Sequence, residues 1–379
     1  MKQSNAVSGA YIPELDGLRG IAILLVVIHH FWPRAGYWVA YEKLPHLGWI
    51  GVDLFFVISG FLIGGILLDS AHKPHYYKNF YARRSLRIFP LYYLFLVGVF
   101  VLIPHFQHGP YMQTEFIRQS GNPAWYFAYL GNLRESITGH EPAYFLAPLW
   151  SLSIEEQFYL LFPLLVASLK RSSLKKLMIV LIVVAPIFRF ATFLAFRSNE
   201  RIQYLATFSR MDVIAAGVLL AILVREKDMT QRRRTIGVLA ASGLFLLAVA
   251  FVTNGLDRLL PFCRIAGYSL VAATFAWCLL WTVVARPAFL RTTALRNIGK
   301  LCYGIYLLQR PTEVAVTKLL PHLHIHLLPN GLTVFFVKMA ATYGVAWLSW
   351  NLMEKHLLKL KKYFVPSRSE RRPVPVFAP

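Results

Sequence analysis

The chain has 379 residues, of which 56% are hydrophobic, 15% aromatic and only 15% charged, with 40 Lys and Arg against 18 Asp and Glu. That composition and a positive mean hydropathy exclude an ordinary soluble globular domain. The basic excess falls in short gaps between apolar runs, so it reads as membrane topology, and no nucleic-acid partner is expected.

Apolar runs long enough to cross a bilayer fall at about 17–36, 47–68, 88–104, 147–168, 175–195, 209–225, 235–253, 264–284, 301–320 and 332–352. The pattern predicts an all-α, polytopic membrane bundle of about ten transmembrane helices. Gaps 69–87, 170–176, 225–234 and 286–300 and the tail after Met353 carry four to seven Lys or Arg each, and the alternate gaps carry three or fewer. By the positive-inside rule both termini are cytoplasmic and the protein belongs in the cell's inner or plasma membrane. No removable signal peptide is evident.

The first run, ELDGLRGIAILLVVIHHFW, carries Arg19 near its start and His29 and His30 near its end. Arg19 and His30 are eleven residues apart, roughly 16 Å and about three helical turns, which puts them on one helix face at two depths. An ionisable group inside an apolar span is a functional hypothesis by default. The second run, GWIGVDLFFVISGFLIGG, returns inward with Asp53 in its outer half, and its glycines at 60, 64 and 65 permit close helix approach. The basic gap that follows ends in FYARRSLRIFP, where Arg83, Arg84 and Arg87 present three cations within about one turn. With Arg19 they form a cluster suited to a polyphosphate, because guanidinium forks bind phosphate oxygens bidentately.

Pro123 to Leu133, PAWYFAYLGNL, is apolar but short and reads as a re-entrant or interfacial piece. The fourth run, LWSLSIEEQFYLLFPLL, places Trp150, Ser151 and Glu155 at its outer end. His30, Asp53 and Glu155 are then expected to converge, with a carboxylate orienting the histidine as a general base. Ser151 is an alternative nucleophile for a covalent acyl relay. Arg210 and Asp212 open the sixth run within SRMD, either lining an outer vestibule or pairing with each other. His322, His324 and His326 alternate in PHLHIHLLP, but no carboxylate or cysteine lies nearby and no metal site is expected. Cys263, Cys278 and Cys302 imply neither a disulfide nor a metal role.

The ordered motifs ELDGLRGIAILLVVIHH, GVDLFFVISGFLIGGIL, FYARRSLRIFP, LWSLSIEEQFYLLFP, SRMDVIAAGVLLA and IGKLCYGIYLLQRP resemble the acyltransferase family 3 membrane proteins, which include sugar and peptidoglycan O-acetylases and macrolide acyltransferases. The resemblance covers about 11–354, with 355–379 left as a basic, Pro-rich and disordered cytoplasmic tail. It implies about ten spans, acyl-CoA as a cytoplasmic co-substrate rather than a bound cofactor, and transfer of acetyl or a related group to a hydroxyl of a carbohydrate or glycosylated small molecule. The family's Arg-x10-His pair falls on Arg19 and His30, its Arg-rich motif on Arg83, Arg84 and Arg87, and its WSLxxE motif on Trp150, Ser151 and Glu155. Many members have His in the YLxHxP motif where this chain has Gln309 followed by Arg310, and Gln cannot shuttle a proton. Other members carry a C-terminal SGNH domain, which is not expected in this chain, so acceptor and acyl group would meet within the membrane domain. A transporter or exporter of a glycan or lipid-linked substrate, using the same charges as a path, is the alternative.

Overall fold

The computed structural model describes residues 11–33, 43–102, 118–197, 199–226, 232–254, 256–324 and 331–364, and every regular element among them is helical. In chain order the elements that position the site are α1 (Pro13–Phe31), α2 (Ile50–Ser70), α3 (Tyr76–Val97), α4 (Gly131–Thr138), α5 (Leu149–Ser168), α6 (Arg171–Ala195), α7 (Met211–Glu226), α8 (Arg233–Val252), α9 (Tyr268–Ala285), α10 (Thr293–Lys300), α11 (Cys302–His322) and α12 (Leu332–Ser349). Each of the ten apolar runs coincides with a helix. Seven of these helices are long and apolar enough to cross a membrane. The other three, α1, α5 and α11, are diluted by Glu14, Asp16 and Arg19, by Glu155 and Glu156, and by Arg310, Glu313 and Lys318.

Burial sorts the helices into an inner and an outer set. The stretch containing α2 is 78% buried and that containing α7 is 61% buried, against 22% for α6 and for α8. The outer helices turn Ile179, Val183 and Ile187 on α6 and Leu244, Phe245 and Val252 on α8 outward. An apolar surface of that extent is stable only against lipid. With the seven apolar helices it makes this a multi-pass integral membrane protein.

Close backbone contact fixes the inner set. A Cβ at Gly60 would lie 2.2 Å from the Ile214 carbonyl oxygen, and one at Gly217 would lie 2.1 Å from the Val57 carbonyl oxygen. No side chain fits there, so α2 and α7 meet glycine to backbone, the small-residue packing used between membrane helices. The expected packing role thus holds at Gly60, whereas Gly65 faces the Arg225 side chain. α1 begins with Pro13 in its first turn, where a missing N–H costs nothing, and Glu14 and Asp16 there suit the helix dipole.

Two boundaries differ from expectation, and the short segment 123–133 agrees with it. α3 starts at Tyr76 instead of 88, because no Gly or Pro interrupts the stretch and only its arginines depress the hydropathy; Arg83, Arg84 and Arg87 therefore sit on the helix itself. Helical turns continue through Phe364, so 355–364 is not a loose tail, and residues 365–379 lie outside the described residues. The segment 123–133 forms a short helix, Ala124–Phe127, and the start of α4, neither long enough to cross a membrane. His326 is outside the described residues, and among those residues no cluster of metal-binding side chains occurs.

Candidate active site

Two cavities lie at opposite ends of α1. The larger, about 1490 Å³, is lined by His30, Trp150, Tyr204, Arg258, Tyr306 and Arg310 among others. The smaller, about 90 Å³, is lined by Arg19, Ser59, Arg84, Arg87, Ser151, Glu155 and Tyr306. Tyr306 and Val52 line both, so the two spaces share a wall one side chain thick.

At the arginine end, Arg84 and Arg87 are separated by three residues on α3 and face the small cavity together. Arg83 is on an adjoining face and exposed; it does not join them, which corrects the expected triple cluster. Among the described residues neither Arg84 nor Arg87 has a carboxylate within ion-pair reach, and the Arg84 Nε is buried without a hydrogen-bond acceptor. Arg84 stacks 3.7 Å over the Tyr159 ring. Arg19 pairs with Asp16 at 3.2 Å and keeps one side toward the cavity. Guanidiniums without an ion-pair partner at the wall of a cavity suit an anion, and Glu155 on the same wall offsets part of their charge.

Glu155 belongs to this same end. The Ser59 and Tyr159 hydroxyls, hydrogen-bonded to one another, stand beside its carboxylate. Asp53 is fully buried in an ion pair with Arg210. Arg210 and Asp212 do not pair with each other: Asp212 takes Arg189 at 2.9 Å and accepts from the Ser269 hydroxyl at 2.6 Å. The expected convergence of His30, Asp53 and Glu155 is therefore not formed. The reason is physical: a buried carboxylate seeks the nearest guanidinium, and the turn Thr207–Arg210 before α7 supplies one and α6 the other.

What holds His30 is Gln309. The His30 Nδ1 lies 2.8 Å from the Gln309 side-chain oxygen, and the Gln309 Nε2 donates to the Tyr306 backbone carbonyl at 2.9 Å. A carbonyl oxygen only accepts, so it fixes which way the amide faces. The Gln309 oxygen then only accepts from His30, Nδ1 carries the proton, and Nε2 is left with a free lone pair. The departure from the resembled motif thus occupies the orienting position expected of a carboxylate. His29 instead donates Nδ1–H to the Pro45 carbonyl at 3.1 Å.

The shared wall is a hydrogen-bonded pair. The Tyr306 hydroxyl donates to the Pro148 carbonyl at 3.0 Å, which leaves Ser151 to donate to the Tyr306 oxygen at 2.6 Å. Trp150 packs against Tyr204 at 4.8 Å between ring centroids on the larger cavity's side.

The sequence pattern of the acyltransferase domain matches residues 12–351. The chain belongs to acyltransferase family 3. Family relatives include the peptidoglycan O-acetyltransferase OatA of Listeria monocytogenes, 28% identical over 95% of this chain and 58% of that protein. The O-acetyltransferase OatA of Staphylococcus aureus is 26% identical over 93% of the chain and 58% of its own length. A third, the putative peptidoglycan O-acetyltransferase YrhL of Bacillus subtilis, is 28% identical over 91% and 54%. The chain thus spans little more than half the length of these family relatives. No solved structure matches it.

Within this family member, Gln309 as the histidine's partner, Tyr306 in the wall and Arg189 beneath Asp212 were not singled out from the sequence for these roles. Tyr306 and Gln309 carried a signal, their places in YLLQRP, and Arg189 carried none.

Proposed function

We propose that this chain is a ten-span membrane O-acyltransferase, with both termini cytoplasmic, that moves an acyl group, acetyl above all, from acyl-CoA to a hydroxyl of a carbohydrate acceptor. The observation that carries the reading is the oriented imidazole: His30 presents a free Nε2 at the larger cavity, one side chain away from a small cavity lined by Arg84 and Arg87, neither with a carboxylate within ion-pair reach among the described residues. Relatives named for acting on peptidoglycan support a glycan as acceptor class.

In this reading the CoA phosphates dock on Arg84 and Arg87 with Arg19 beside them at the cytoplasmic end, and the thioester passes Tyr306 so that its carbonyl reaches the larger cavity beside His30. The acceptor enters the larger cavity from outside. His30 Nε2 takes the hydroxyl proton as the acceptor oxygen attacks the thioester carbonyl; the C–S bond breaks, the ester forms, and the imidazolium returns the proton to the leaving CoA sulfur. Ser151 is spent on Tyr306 and has no base beside it, which favours direct transfer over a covalent relay. Glu155 shapes the arginine end and Asp53 holds Arg210 under the aromatic floor of the larger cavity; neither touches His30.

Purified protein given radiolabelled acetyl-CoA and membrane glycan should label the glycan in detergent, with no sealed compartment or gradient. His30→Ala should remove labelling while CoA binding persists. Labelling that requires a sealed vesicle and a gradient would favour the transporter instead.

A further inference from the structure

The larger cavity holds a cation that its neighbours leave unneutralised. Arg310 and Lys338 share Glu313 at 3.0 and 3.1 Å, and Arg201 pairs with Glu141 at 2.5 Å and lies 3.1 Å from Glu135. Arg258, in the turn after α8, lines the same cavity, and among the described residues it has no carboxylate within ion-pair reach. The adjacent Asp257 is turned to its own backbone, accepting from the Leu259 amide at 2.9 Å. The Arg258 guanidinium lies 4.9 Å over the Tyr204 ring. Tyr204 is itself fixed from the other side by Arg210, 5.2 Å from its centroid, and by Trp150 and Tyr268. Arg258 and Arg310 line the same cavity as His30.

An arginine held over a rigid aromatic ring at the wall of a cavity, with no carboxylate within ion-pair reach among the described residues, is suited to a planar or tetrahedral oxyanion. A neutral sugar would leave it without a direct ion-pair partner. Resting on the acyltransferase reading, we propose that the acceptor is anionic, with a carboxylate or phosphate held by Arg258 while the hydroxyl to be acylated faces His30. Arg258 is then an acceptor-specificity residue, independent of donor binding at the far side of the Tyr306 wall.

The test uses membranes from cells making the full chain, incubated with radiolabelled acetyl-CoA, their labelled glycan then digested to soluble fragments. The labelled fragment should be retained by an anion exchanger. Carbodiimide amidation should abolish retention if the anion is a carboxylate, and cold aqueous hydrofluoric acid, which strips phosphate esters, should abolish it if the anion is a phosphate. Arg258→Gln should raise the acceptor KM roughly tenfold with the acyl-CoA KM unchanged, and Arg258→Lys should restore part of the loss. A neutral labelled fragment, or an unchanged acceptor KM in Arg258→Gln, would overturn the proposal. Absence of any label in parent membranes would instead overturn the acyltransferase reading on which it rests.

Discussion

A histidine is a useful base near neutral pH only when one ring nitrogen is committed and the other left free. In this protein the commitment is made by an amide whose own direction is dictated by the Tyr306 carbonyl. Gln309→Leu should therefore lower kcat by roughly tenfold or more with acyl-CoA KM unchanged, since an unheld imidazole samples both tautomers. Gln309→Glu should retain much of the rate, because a carboxylate also accepts from Nδ1. A parental kcat in Gln309→Leu would remove Gln309 from the mechanism. His30→Ala should cost about 10²–10⁴-fold. The donor end makes an equally specific statement. Arg84→Ala and Arg87→Ala should each raise the acyl-CoA KM roughly tenfold, equivalent to about 1.4 kcal/mol, and Arg83→Ala should do so far less. Equal effects at all three positions would point to surface charge alone. His30 and the arginines were legible from their spacing along single helices. The partner of His30 was not, because Gln309 is 279 residues away and the sequence offered nearer-looking carboxylates in Asp53 and Glu155.

Element identity followed closely from hydropathy, and the helices that carry the site are the ones whose apolar pattern is most interrupted. α1, α5 and α11 give up apolar positions to Arg19, Glu155 and Arg310. α3 was misjudged for the same reason: a window scan starts the helix after the arginines, whereas the backbone has no cause to break there. The contact between α2 and α7 rests on Gly60 and Gly217, so Gly217→Val should leave no monodisperse protein by size-exclusion in detergent. Recovery of well-folded Gly217→Val would show that the helices can part. On α4, burial pushes the Glu135 carboxyl from 4.5 up to about 8, against the pull of Arg201 and Arg134. A value raised on folding means that the protonated form favours the fold: the contribution is full below about 4.5 and is lost as pH rises through about 8. The melting temperature in detergent should fall across that range, and Glu135→Gln should flatten the fall. An identical pH profile in the variant would show that Glu135 does not control it.

For the whole molecule the decisive feature is the thin wall between two cavities. Tyr306→Phe keeps the ring and loses the hydroxyl that ties Pro148 to Ser151, so it should reduce transfer moderately. Tyr306→Ala joins the cavities and admits water to the thioester. It should raise acceptor-independent release of free CoA, followed with a thiol reagent, while glycan labelling falls. A variant that neither leaks nor slows would show that the wall is elsewhere. With both termini cytoplasmic as proposed, acyl-CoA supplied only outside right-side-out vesicles should not support labelling.

The buried Asp53–Arg210 pair also has a consequence for how the chain is made. Its partners are separated by 157 residues, so at about 5–20 residues per second α2 is synthesised on the order of ten seconds or more before α7 exists. Throughout that interval Asp53 has no counter-ion, and an isolated carboxylate in a bilayer is costly. α2 must wait beside the insertion machinery, or enter with Asp53 protonated, until Arg210 arrives. Arg189 on α6 likewise has to wait for Asp212 on α7. Synthesis of a single span, Thr207–Glu226, thus releases both delayed pairings at once and turns a set of separately inserted segments into a bundle.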